Sequence, residues 1–136
     1  MEDDMAEEYI KLEDIKNKTF NRNNPTSVQY YCDQANIEIE DFAIRIGVSV
    51  DDIVTPIHSK ILRYGVNYTL SLFAEDRINF NNSEGDVQGE DIYADMFKRT
   101  RYIMQDVKEY ITPVMFTGEI QTPSNRAVQS QRLIRG

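Results

Sequence analysis

The chain offers few side chains that could perform chemistry, and their spacing limits what that chemistry would be. It has one histidine, His58, and one cysteine, Cys32. A thiol nucleophile needs an adjacent base, and that base needs a third group to orient it. Cys32 falls on the apolar stripe of a helical pattern, His58 follows Ile57 in another, and no glycine-rich elbow accompanies either. Cys32 therefore reads as a small core hydrophobe and His58 as a partly exposed polar residue. Glu84, Asp86, Gln88, Gly89 and Asp95 imitate a calcium loop only faintly. The first ligand should be Asp and the twelfth a bidentate Glu, so a solvated acidic loop is the better reading. There is no phosphate-cradling loop, dinucleotide fingerprint or metal-spaced histidine pair. No catalytic residue, metal site or cofactor is expected, and the chain is not read as an enzyme.

The remaining chemistry is charge. Lys98, Arg99 and Arg101 form an internal basic cluster interrupted by Asp95, Asp106 and Glu109, which reads as a solvated helix face. The formal net charge is -8 over 136 residues. That argues against a free-standing nucleic-acid binder, because holding phosphates requires a basic surface. It is compatible with a channel wall that repels DNA weakly and keeps it from adhering. The charge is unevenly placed. Seven acidic residues face three basic ones between Met1 and Phe20, whereas Thr117 to Gly136 carries Glu119 against Arg126, Arg132 and Arg135. An acidic head and a basic tail can meet in adjacent subunits, or remain two solvated termini.

The elements that must position these groups are helices. One domain fits 136 residues. No run approaches the roughly 20 apolar residues of a membrane span, and the acidic N-terminus is unlike a secretory signal, so a cytoplasmic product is expected. Val28, Cys32, Ala35, Ile39, Phe42 and Ile46 recur in steps of four and three, which predicts a helix over 27–46 started by Pro25 and stopped by Gly47. A second row, Tyr30, Ile37 and Ile44, lies on another face of that helix and is a candidate intersubunit contact. A short turn over Val50 to Val54 follows. The second helix is expected over 56–76, with Thr55 as cap and Pro56 at its first position, and with Ile57, Ile61, Tyr64, Tyr68 and Leu72 buried. Gly65 in its middle points to close packing against another backbone. Asn79 to Glu90 reads as a surface loop. The third helix is expected over 91–111 with Tyr93, Met96, Phe97, Thr100, Ile103, Met104, Val107, Tyr110 and Ile111 on its apolar side, ended by Thr112 and Pro113. Upstream, Tyr9 to Phe20 reads as an extended lead-in with one helical turn.

The fold class is thus all-α: a bundle of three main helices making up a body over 1–112, followed by an extended C-terminal arm over 113–136. Thr112 to Gly136 has two prolines, two glycines and no sustained apolar period. Such a segment cannot fold by itself and calls for a partner surface.

This order of parts resembles the small helical head-tail connector (adaptor) proteins of tailed bacteriophages. The resemblance rests on the lead-in YIKLEDIKNKTF, on SVQYYCDQANIEIEDFAIRIGV as first helix, on SKILRYGVNYTLSLFAED as second and on DIYADMFKRTRYIMQDVKEYIT as third, and it spans Tyr9 to Thr112. It is a likeness of layout more than of letters. It implies a homo-oligomeric ring, a dodecamer, seated under the portal in the neck of a virion after synthesis in the host cytoplasm. The ring would extend the DNA channel without sequence-specific binding and offer a docking surface to a tail or stopper protein, with no membrane involved. In this scheme the arm over Phe116 to Gly136 inserts against the portal protein. Arg126, Arg132 and Arg135 would pair with acidic portal residues, and Val128, Leu133 and Ile134 would anchor in apolar pockets. The arm here is longer and more polar than a minimal version. Two alternatives come from other classes: an acidic DNA mimic or regulatory protein that binds a nucleic-acid enzyme, and a small metal-dependent enzyme built on the 84–95 loop.

Overall fold

A computed structural model describes residues 8–84 and 87–118, without the side chains of 80–84 and 87–91. Among the described residues the chain is all-α, with five helices and no strand: α1 (Lys18–Asn21), α2 (Pro25–Arg45), α3 (Ser59–Glu84), α4 (Val87–Lys108) and α5 (Pro113–Thr117). Short 3-10 turns at Leu12–Asp14 and Val50–Asp52 precede α1 and α3. The long helix α3 packs on both α2 and α4, while α2 and α4 make at most marginal contact with each other.

Helix α2 begins where the local chemistry says it should. Asn24 accepts a hydrogen bond from the Thr26 amide at 2.8 Å, and Pro25 occupies the first turn, where its missing N–H costs nothing. Of the expected stripe, Val28, Cys32, Ala35, Ile39 and Phe42 are buried and Ile46, the capping residue, is half-buried, and Gly47 stops the helix with φ +90°. The buried face is completed by a residue outside the apolar pattern. Asn36 is 3% exposed, and its Oδ1 accepts from the amides of Tyr9 and Ile10 at 2.8 and 2.7 Å while its Nδ2 donates to the Ile10 carbonyl at 3.2 Å. A single amide side chain thereby bonds three main-chain groups of the lead-in segment, as buried main-chain polar groups require.

That clamp drives Ile10, fully buried, onto α3. A β-carbon built on Gly65 would stand 2.5 Å from Ile10 Cδ1 and 3.3 Å from Ile39 Cδ1. Gly65 does mark a close approach, but the atoms that approach are isoleucine side chains and not the neighbouring backbone expected from the sequence.

Three expected boundaries are corrected. Helix α3 starts at Ser59 and not at Pro56; Pro56 lies in the preceding turn, joined to Thr55 by a cis peptide, and the cap is His58, whose Nδ1 accepts from the Lys60 amide at 3.0 Å. Imidazole is not among the preferred caps, so the Thr-Pro pair was the stronger local signal. The expected loop over Asn79 to Glu90 is mostly helical, since α3 runs to Glu84 and α4 starts at Val87. Packing of the two helices along their length supplies the stability that the Asn- and Gly-rich sequence lacks locally. Finally, Pro113–Thr117 is helix α5, not extended arm. Phe116 is 1% exposed and stacks near Phe42 at 6.0 Å, its carbonyl accepts from the Val54 amide at 2.9 Å, and Gly118 ends the helix with φ +73°.

Replacing Asn36 by Ala removes three hydrogen bonds to buried main-chain groups and is expected to lower the unfolding free energy by about 2–4 kcal/mol. Gln105→Ala on the exposed side of α4 is expected to stay within about 0.5 kcal/mol. Denaturant titration of the two variants checks the difference.

Candidate functional site

The residues with chemical potential are held apart. Cys32 is fully buried on α2 and His58 is exposed at the start of α3, so the fold does not assemble them into a nucleophile and base. Burial, reinforced by the nearby carboxylates Asp33, Glu8 and Asp14, pushes the Cys32 thiol up to about 11, which leaves it almost wholly protonated at neutral pH. Of the faint calcium-loop set, Glu84 closes α3 while Gln88, Gly89 and Asp95 lie along α4, and Asp86 is outside the described residues. A straight helix spreads positions 88 to 95 over about 10 Å of axis instead of wrapping them round an ion. Among the described residues no three His, Cys, Asp or Glu side chains gather into a metal cluster.

The basic cluster on α4 is largely engaged locally. Arg99 pairs with Asp95 one turn earlier at 2.7 Å, and the Arg101 guanidinium lies 5.6 Å from the Phe97 ring centre. Both contacts are exposed and contribute little to stability. They do show a mixed-charge face in place of a basic stripe.

What the structure presents outward is apolar and aromatic surface on two helices. On α2 the row Tyr30, Ile37 and Ile44 repeats every seven residues and is 58, 45 and 57% exposed. Behind Tyr30, the ring of Tyr31 turns inward against Phe73, and its hydroxyl donates to Asp76 at 2.8 Å. Near the other end of α2, Glu38 accepts hydrogen bonds from Tyr64 and Arg45 at 2.8 and 2.9 Å, which fixes the last turns of α2 on α3. Other large apolar and aromatic side chains standing outward include Ile92 and Tyr102 on α4 and Tyr110 in the turn that follows it. The sequence reading had assigned Tyr110 to the buried side, but it is 60% exposed. Tyr110 lies two residues past the end of α4, where the helix period no longer decides which way a side chain points.

The six arm residues Arg126, Val128, Arg132, Leu133, Ile134 and Arg135 lie outside the described residues. The structure does give the arm's point of departure. Gly118 sits against Val54, whose Cγ2 would be 2.9 Å from an added β-carbon. No protein-family model, curated protein or solved structure matches this chain. No helix of the described residues is long and apolar enough to cross a membrane.

Two measurements check this picture. Cys32 is expected to resist thiol reagents at pH 8 in the native protein and to react at once after unfolding, as followed by a chromogenic disulfide reagent. Tyr31 is pushed up to about 12 by burial and by its bond to Asp76, and Tyr64 is raised for the same two reasons with Glu38 as partner. Because the folded state holds these protons more tightly than the unfolded chain, the stabilisation is complete below about pH 10, the ordinary tyrosine value, and is lost as pH rises toward 12. Tyr31→Phe is expected to flatten that alkaline decline in a pH series of denaturation midpoints.

Proposed function

We propose that this protein is a subunit of a head-tail connector ring in the neck of a tailed bacteriophage, docking on the portal and offering its far side to a tail or stopper protein. Its main support is the pair of outward apolar faces. Tyr30, Ile37 and Ile44 stand on α2, while Ile92 and Tyr102 stand on α4 with Tyr110 in the turn after it, and both helices pack on α3. A subunit with two different faces is suited to head-to-tail pairing, and head-to-tail pairing closes into a ring when the rotation between copies allows. The order of lead-in, three helices and polar C-terminal segment adds a likeness of layout to that family.

The role is mechanical. The ring extends the DNA path with a wall of net negative charge that repels the duplex weakly, so the genome passes without adhering. Dodecameric copy number and virion localisation belong to the same proposal. The arm's Arg126, Arg132 and Arg135 would seek acidic portal residues, and Val128, Leu133 and Ile134 apolar recesses. Since α5 is tied to the Val54 turn, the arm would begin at about Glu119 and not at Phe116.

Ile37→Asp together with Ile44→Asp alters only exposed side chains, so helicity and melting temperature are expected to stay near wild type. Ring assembly in the presence of a portal protein is expected to be abolished, as read by mass measurement of the mixture. Removal of 124–136 is expected to leave the helices folded and to eliminate portal attachment. A wild-type protein that stays monomeric with its portal, or that competes with DNA for a nuclease, would sink the connector reading and favour the acidic regulator.

A further inference from the structure

The described chain ends beside a cleft suited in charge and shape to the residues that follow it. Val54, which touches Gly118, is followed directly by Thr55, Pro56 and Ile57, and these three form one wall of a recess of about 450 Å³. Leu62, from the first turn of α3, extends that apolar wall. The recess is lined also by the lead-in segment, where Glu8, Glu13 and Asp14 outnumber Lys11. Glu8 and Glu13 are exposed, and Asp14 accepts from the Lys11 amide at 2.9 Å. The cleft therefore combines apolar side chains with an excess of acidic ones.

The C-terminal segment has the matching pattern: Arg132 and Arg135 flank Leu133 and Ile134. Arg132 lies fourteen positions beyond Gly118, enough chain to reach about 45 Å if extended, whereas the cleft wall begins one residue past the Val54 contact. We propose that in the isolated subunit the Arg132–Arg135 segment of the same chain docks in this cleft, with Leu133 and Ile134 toward Ile57 and Leu62 and the two guanidinium groups toward Glu8 and Glu13. Because the segment belongs to the same chain, its effective local concentration at the cleft is on the order of millimolar, so a weak contact suffices to populate the docked state. The exposed ion pairs make it salt-sensitive, because their attraction is screened over about 8 Å at physiological ionic strength. Docking in this way shields the arm's apolar pair in the free subunit and leaves it displaceable by a partner that binds the arm more tightly. The docking itself requires no portal and stands apart from the connector reading.

The test uses the full chain with a nitroxide on Ser130→Cys, a position the buried Cys32 does not compete with for label. Backbone and methyl resonances of Glu13, Ile57 and Leu62 are expected to lose most of their intensity through paramagnetic broadening. The loss is expected to disappear in Arg132→Glu/Arg135→Glu and at about 1 M salt, where the screening length falls to about 3 Å. It should return when Glu8→Arg/Glu13→Arg is combined with the arginine reversals. Absence of broadening at these three residues, or broadening confined to another face, overturns the proposal. So does broadening that appears on isotope-labelled, nitroxide-free protein mixed with unlabelled nitroxide-bearing protein, which would make a second copy the occupant.

Discussion

The rest of the structure depends on a single buried amide. The lead-in segment has no secondary structure of its own around Tyr9 and Ile10, yet it is buried, so its main-chain groups need partners. Asn36 supplies them, and in doing so sets the depth and direction at which Ile10 enters the seam between α2 and α3. The absence of a side chain at Gly65 gives Ile10 the space it fills. Full burial of an isoleucine is worth about 1.5–3 kcal/mol, and losing the amide clamp would forfeit part of that as well as the hydrogen bonds. The acidic residues that line the cleft with Thr55 to Ile57 belong to the same lead-in segment, so their position too follows from the clamp.

Around α3 the core is organised by aromatic rings with polar anchors. Phe20, Tyr31 and Tyr93 all meet Phe73 edge-on at 5.1 to 5.8 Å, and Arg77 lies over the same ring while reaching Asn23 at 2.6 Å. Phe42, Tyr64 and Phe116 form a second group tied to Glu38 and Arg45. Each group joins three or more elements, and each carries its charged partners at the edge, where solvent still reaches them. Edge-to-face pairs of this kind are worth about 0.5–1.5 kcal/mol beyond the area they bury, and those on Phe73 tie α1, α2 and α4 to α3.

Much of the fold was legible in the sequence. The apolar steps of α2 identified most of its buried stripe, and Pro25 and Gly47 bounded it, because helix period and end chemistry are local. The outward row Tyr30, Ile37 and Ile44 was legible for the same reason. The extension of α3 and α4 through the Asn-rich stretch was not, since that stretch reads as loop by propensity and is helical because each helix has the other to pack against. Nor was the role of Asn36, a polar residue among apolar ones, whose burial depends on main-chain groups 26 and 27 residues away.

The sequence by itself determined the class of structure, the core face of α2 and the uneven charge between the two ends, since these follow from residue type and near-neighbour spacing. Only the tertiary structure decided where His58 caps, that Phe116 belongs to the body, which tyrosines face outward and that the chain leaves the body beside an acidic cleft. Those depend on contacts between segments distant in the chain, where burial, and not propensity, settles which of several locally acceptable conformations is kept.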